Sequence, residues 1–168
     1  FFVLNKIFNF DKVKLVQLAK QVGEDVQLGL DYKNKILFSE GKLKISSKKE
    51  RFFVIVVRPN FGCSTKEIYQ GVRSFSKKKI TSSNKNLFKI NYILKLQNDL
   101  EKVVFKYYPK LNQVKSFMED LPNIRFARMT GSGSCILGYF LTKNSAINAA
   151  KLFKNKYKNY WCITSKTI

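Results

Sequence analysis

The uninterrupted apolar run Phe52-Phe53-Val54-Ile55-Val56-Val57 constrains this chain more than any other feature. Aromatic and β-branched residues without an intervening charge fit a strand covered on both faces, and the run is far shorter than the roughly 20 residues that span a bilayer. Arg58-Pro59-Asn60-Phe61-Gly62 then ends it, because proline cannot continue a strand ladder. A strand of this kind needs neighbours on either side and at least one covering layer of helices.

The rest of the chain supplies both. Apolar spacing predicts helices near Thr65 to Phe75, Asn98 to Tyr107, Pro109 to Asp120 and Asn144 to Tyr157, and strands at Phe126 to Met129, Cys135 to Leu141 and Tyr160 to Thr164. Setting aside the extra helices leaves βαββαβ, the ferredoxin-like order, with helices on one face of an antiparallel sheet. The expected fold class is therefore α+β. Before Phe52 lies a different unit. Leu4 to Val22 reads as two short helices with Asp11 capping the second, and Gly23 as its stop. A short strand or loop is expected over Val26 to Leu30, then a hairpin in which Lys35 to Ser39 and Lys42 to Ser46 flank Glu40-Gly41.

Composition excludes several chemistries. The chain has no histidine, which removes a Ser-His-Asp triad, a Cys-His pair and any His-ligated metal from within it. Cys63, Cys135 and Cys162 are odd in number and far apart, which fits neither a disulfide framework nor paired zinc ligands; no metal ligand set is expected, and a reducing cytoplasm suits such cysteines. The net charge of +21 would attract polyanions, but the lysines are spread along the whole sequence. The densest cluster, Lys77-Lys78-Lys79, sits among serines, Thr81 and Asn84 without apolar period and reads as a solvated loop. Neither a specific nucleic-acid partner nor a membrane is expected.

The segment Arg128-Met129-Thr130-Gly131-Ser132-Gly133-Ser134-Cys135 carries the most chemical information. Two glycines one residue apart let backbone N–H groups approach an anion, and the hydroxyls between them add donors. It lacks the Gly-Lys-Ser/Thr ending of a Walker loop and the third glycine of a dinucleotide fingerprint. A tight hairpin turn would use the same residues.

Taken with Asn98-Asp99-Leu100-Glu101 and Tyr108-Pro109, and with Leu4-Asn5-Lys6-Ile7-Phe8, Leu18-Ala19, Gly23-Glu24-Asp25-Val26, Arg58-Pro59, Ser64-Thr65 and Tyr69 upstream, this segment resembles the 4-diphosphocytidyl-2-C-methylerythritol kinase family of the GHMP superfamily. The register holds from about Leu4 to about Ala150. The resemblance implies two parts: residues 1–47, the end of an ATP-binding domain, and residues 48–168, a ferredoxin-like C-terminal domain. It implies transfer of the γ-phosphoryl group of ATP, with Mg2+ accompanying the nucleotide, to the 2-hydroxyl of a small cytidine diphosphate substrate in the non-mevalonate route to isoprenoids. Asp25 matches the family's catalytic aspartate, a carboxylate that accepts or orients the hydroxyl proton. Tyr69 falls where the family places an aromatic against cytosine, although a core aromatic would occupy the same helix. Thr65 either lines the cytidine pocket or caps that helix, and Thr130, Gly131, Ser132, Gly133 and Ser134 would shape the cleft near the phosphates.

Departures from the family are also visible. Its proline after Asp-Val is Gln27, its apolar pair is Leu28-Gly29, and its Gly-x-Gly-Glu turn appears as Gly41-Lys42-Leu43-Lys44. Its glycine-rich ATP loop and catalytic lysine would precede Phe1, so the chain reads as a C-terminal portion holding part of a site. A non-catalytic relative sharing these motifs, and a basic nucleic-acid-binding module, are the two competing readings. The latter would need aromatics alternating with Lys or Arg on an open sheet face.

Overall fold

Cross-strand packing of the central run organises the larger of two compact units. The computed structural model describes residues 7–30, 33–46, 51–76, 80–81 and 83–167. Unit one comprises Phe1–Lys49 with Ile80–Lys89, and unit two Glu50–Lys79 with Ile90–Thr167. The Lys77-Lys78-Lys79 cluster and the start of the first expected helix lie outside the described residues.

In unit one, helix α1 (Lys12–Val22) starts at Asp11, whose carboxylate accepts from the Lys14 N–H at 2.8 Å, and ends at Gly23, whose N–H donates to Ala19 O. The cap satisfies one of the orphan donors of the first turn. Leu15 and Ala19, four residues apart, form its buried stripe. The segment expected as strand or loop over Val26 to Leu30 is instead a 3-10 helix, Glu24–Leu30. The alternation Val26, Leu28, Leu30 carries the period of a strand, whereas the 3-10 turn repeats every three residues and buries Gln27 between them. Strands β1 (Lys35–Leu37) and β2 (Leu43–Ile45) pair antiparallel, with Gly41 at φ 73° in the connecting turn. That is the expected hairpin, its first strand shorter by two residues at the turn and its second by one residue at each end.

Unit two is built on β3 (Phe53–Arg58). It lies between β5 (Ile136–Phe140) and β6 (Trp161–Lys166), and β5 in turn pairs with β4 (Phe126–Met129), every pair antiparallel and the order β4-β5-β3-β6. This is the ferredoxin-like sheet expected from βαββαβ. The register sets the rows: Met129, Ile136, Val57 and Cys162 align across the sheet on one face, and Arg128, Leu137, Val56 and Ile163 on the other. The period of two sends the first row to the core.

Helices α2 (Thr65–Gln70), α3 (Ile90–Ile93), α4 (Leu100–Tyr107), α5 (Pro109–Glu119) and α6 (Lys143–Lys156) complete the unit. Pro109 opens α5, where its missing N–H costs nothing, and Thr142 caps α6 by accepting from the Ser145 N–H. Val104, Leu111, Val114, Met118, Ala146, Ala149 and Phe153 are buried against Ile55, Val57, Ile136 and Phe140. Helix α2 stops five residues earlier than expected, at Gln70, with Gly71 as its cap donating its N–H to Glu67 O at 2.9 Å and Ile68 O at 3.1 Å; a Cβ at this position would come within 2.6 Å of Val103 Cγ1 and 2.9 Å of the Tyr107 hydroxyl, so only glycine fits there. All three cysteines are free; Cys162 is buried in the core, which pushes its thiol pKa up and leaves it a weak nucleophile.

Candidate active site

The connection between β4 and β5 is a tight loop whose shape follows from its glycines. Gly131 has φ 49°, Gly133 φ 112° and Ser134 φ 70°. Only glycine takes the first two without strain, and at Gly133 a Cβ would also press on Cys63 Sγ at 3.3 Å and Val104 Cγ1 at 3.4 Å. The loop is closed by Thr130 N–H donating to Cys135 O and Gly133 N–H donating to Thr130 O, each at 2.9 Å. The N–H groups of Gly131, Ser132 and Ser134 meet no acceptor among the described residues. Successive free donors around a left-handed turn form a concave anion receptor.

Hydroxyls join this loop to the start of α2. Thr65 Oγ1 and Ser132 Oγ are 2.9 Å apart, and the Cys63 N–H donates to Ser134 Oγ at 3.0 Å. The second bond stabilises a serine in a left-handed conformation that otherwise costs roughly 1–2 kcal/mol. The Ser64 N–H donates to the Tyr108 hydroxyl, and Ser64 Oγ accepts from the Glu67 N–H. Ser64 is therefore the cap of α2, and Thr65 is its first helical residue with its hydroxyl turned to the glycine loop. Tyr69, one turn on, is 56% exposed while its neighbour Ile68 is fully buried. The tyrosine is not a core aromatic; its ring is open to solvent.

Beneath the loop lies a polar brace. Asn98 Nδ2 donates to Gly131 O at 2.8 Å and Met129 O at 3.3 Å, while its Oδ1 accepts from the Leu100 N–H. Glu101 Oε1 accepts from the Met129 N–H, and its other oxygen is paired with Lys115 at 3.4 Å. Arg128 extends from β4 to the carbonyls of Leu96 at 2.6 Å and Leu94 at 3.1 Å. Charged donors on backbone oxygens make these bonds stronger than neutral ones. Sequence reasoning placed Asn98 and Glu101 at a helix start; their ties to a loop some 30 residues away were concealed, since a capping pattern and a long-range clamp use the same residue types.

Asp25 lies in unit one, on the exposed side of the 3-10 helix, and its carboxylate makes no hydrogen bond or ion pair among the described residues. Gln27 is 1% exposed and its Nε2 donates to Glu24 Oε2 at 3.3 Å. The Lys35 ammonium donates to the carbonyls of Gln27 and Leu28. A buried amide needs such a partner, so Gln27 is accommodated by Glu24, with the local backbone held by Lys35.

Comparison with known proteins matches residues 75–159 to the family model described as GHMP kinases C terminal. A 4-diphosphocytidyl-2-C-methyl-D-erythritol kinase of Pelagibacter ubique (strain HTCC1062) is 43% identical over 168 residues, covering 100% of this chain and 60% of that protein. One of the same name from Neisseria gonorrhoeae (strain ATCC 700825 / FA 1090) is 31% identical over 149 residues, covering 88% of this chain and 50% of its own length. The chain thus spans between half and two thirds of these relatives. Among solved structures, a 4-(cytidine 5'-diphospho)-2C-methyl-D-erythritol kinase superposes with TM-score 0.73 at 24% identity over 96% of this chain and 60% of that one. A homoserine kinase from Cytophaga hutchinsonii ATCC 33406 superposes with TM-score 0.63 at 13% identity, over 98% of this chain and 61% of that one. Both solved structures share the fold.

Proposed function

The chain belongs to the GHMP kinase family, and from that premise we propose that the protein containing it moves the γ-phosphoryl group of ATP onto the 2-hydroxyl of 4-diphosphocytidyl-2-C-methylerythritol. The observation that carries this reading is the 43% identity, along all 168 residues, to a kinase of that name. In the reaction, Asp25 accepts the proton of the 2-hydroxyl as its oxygen bonds to the γ-phosphorus, and the bond to the β,γ-bridging oxygen breaks to release ADP. Residues 1–47 act as the end of the ATP-binding domain and residues 48–168 as the C-terminal domain.

The glycine loop fits a phosphate: the N–H groups of Gly131, Ser132 and Ser134 are unengaged among the described residues, and hydroxyls flank them. ATP supplies the phosphoryl group, and Mg2+ is expected with it, although the described residues bring together no cluster of three His, Cys, Asp or Glu side chains that would hold the ion. No described helix is long and apolar enough to cross a membrane, and the cytoplasm is the proposed location. The test is cytidine-substrate-dependent release of ADP by the protein that contains this chain; ATP turnover indifferent to that substrate would overturn the assignment.

Tyr69 is the proposed stacking partner of cytosine, its exposed ring supplying a π face one helical turn from Thr65. Tyr69→Ala is expected to weaken binding of the cytidine substrate by about 1–3 kcal/mol and leave ATP affinity unchanged. Calorimetric titration with each ligand checks this. Because the ring is mostly in solvent, the substitution should leave the unfolding temperature almost unmoved, which separates loss of a ligand contact from loss of packing.

The competing nucleic-acid reading asks for open aromatics on a sheet face. On the face opposite the core, Phe126 and Tyr139 stack at 4.2 Å, Phe52 meets both rings edge-on, and Val54 beside them is buried. Arg128 is held by two carbonyls. These groups are committed to one another, so they make a poor platform for bases. Duplex DNA is expected to bind only in the non-specific range of about 10⁻⁴–10⁻⁶ M at physiological salt, without sequence preference, because the charge of +21 still attracts phosphates. Filter binding across sequences and salt concentrations measures it, and nanomolar, sequence-selective binding at 0.15 M salt would displace the kinase as the primary function.

A further inference from the structure

We propose that Asn98 is the positioning residue of the glycine loop, the side chain that aims the loop's free N–H groups at the phosphate they receive. The inference rests on the kinase reading for its functional consequence and on geometry for its mechanism. The carboxamide of Asn98 donates to Gly131 O at 2.8 Å and to Met129 O at 3.3 Å, bracketing the first turn of the loop. The Gly131 carbonyl and the Ser132 N–H belong to one planar trans peptide and point in opposite directions. Anchoring the oxygen on Asn98 therefore turns the Ser132 N–H away from Asn98, where it has no acceptor among the described residues.

Without that anchor the peptide is free to turn over. Gly131, at φ 49°, has no Cβ to resist rotation, so glycine alone cannot hold the donor in place. A second bond keeps the clamp itself in register: Asn98 Oδ1 accepts from the Leu100 N–H at 3.1 Å, which fixes the side chain to the first turn of α4. Glu101 then holds the Met129 N–H at 3.2 Å from the same helix. Asn98 thus ties the first turn of α4 to the Gly131 peptide, its oxygen on the helix and its nitrogen on the loop.

The chemistry of the two ends of the side chain makes a selective test available. Asn98→Asp keeps the acceptor for the Leu100 N–H but replaces the donor with an oxygen facing two carbonyls, which repels them. In the kinase that contains this chain, kcat is expected to fall about 10-fold to 100-fold, since a misplaced donor or a shift of about 1 Å costs that much. KM for the cytidine substrate should stay within about threefold. Glu119→Gln is the control, because it removes only the exposed i,i+4 pairing with Lys115 at 2.9 Å along α5 and leaves every hydrogen bond of Asn98 in place; it should keep kcat within about twofold.

A second readout is independent of turnover. In the same proteins, the Gly131 and Ser132 amide resonances are followed during titration with inorganic tripolyphosphate, and Asn98→Asp should weaken the response of both by about 10-fold while strand β5 resonances keep their positions. An unchanged kcat in Asn98→Asp, or unchanged tripolyphosphate response at Ser132, overturns the proposal. So does an equal loss of kcat in both variants, which would mark general weakening of the brace. If the unsubstituted protein lacks cytidine-dependent turnover while Ser132 still requires Asn98 to bind tripolyphosphate, the kinase reading fails and the positioning role stands.

Discussion

Asp25→Asn is expected to lower kcat for the cytidine substrate by about 100-fold or more, with KM changed by no more than a few fold, because general-base contributions run about 10²–10⁴. The substitution keeps the shape of the side chain and removes its ability to take a proton. Asp25 makes no hydrogen bond or ion pair among the described residues, so no structural contact is lost with its charge. The unfolding transition should therefore coincide with that of the unsubstituted protein. Steady-state kinetics and thermal unfolding on the same preparation separate the two possibilities: near-normal turnover would remove Asp25 from the mechanism, and a lowered unfolding temperature would make it a structural residue.

Phe140→Ala is expected to destabilise the protein by about 3–5 kcal/mol, the range for removing a buried aromatic ring from a close-packed core. Phe140 is fully buried in β5, paired across the sheet with Phe53 and packed within the cluster that includes Met118 and Phe153. The ring cannot be replaced by collapse from one side, since the sheet backbone and the helices over it are both fixed. Urea titration should show a lower midpoint with an unchanged slope. Phe140→Leu refills most of the volume and should recover more than half of the loss. A midpoint shift smaller than that expected for Phe140→Leu would mean the core relaxes into the space.

Much of the fold was legible because it depends on local periods. The run Phe52 to Val57 announced the central strand, Asp11 and Gly23 bounded α1, and Pro109 opened α5. Where several structures satisfied the same pattern, the sequence left the choice open. Glu24–Leu30 became a 3-10 helix, α2 ended at Gln70 with Gly71 as its cap against Val103 and Tyr107, and the short helix Ile90–Ile93 had no strong period to reveal it. In each case the deciding contact comes from a residue distant in the chain or from a turn too short to show a repeat.

The chemistry divides along the same line. The sequence alone determined which groups are available: no histidine, a run of glycines and hydroxyls from Thr130 to Ser134, an aspartate at 25 and an aromatic at 69 in register with a kinase family. Tertiary structure decided where several of them stand and what they touch. Ser64, not Thr65, caps α2, and the Thr65 hydroxyl meets Ser132; Ile68, not Tyr69, takes the buried position, which leaves the tyrosine ring in solvent. Asn98, read as part of a helix start, acquired its tie to Gly131 only when the sheet brought β4 and α4 together. Residue type sets the hydrogen bonds a side chain can make, and the neighbour that completes them lies tens of residues away, so the bond actually formed is a property of the folded chain.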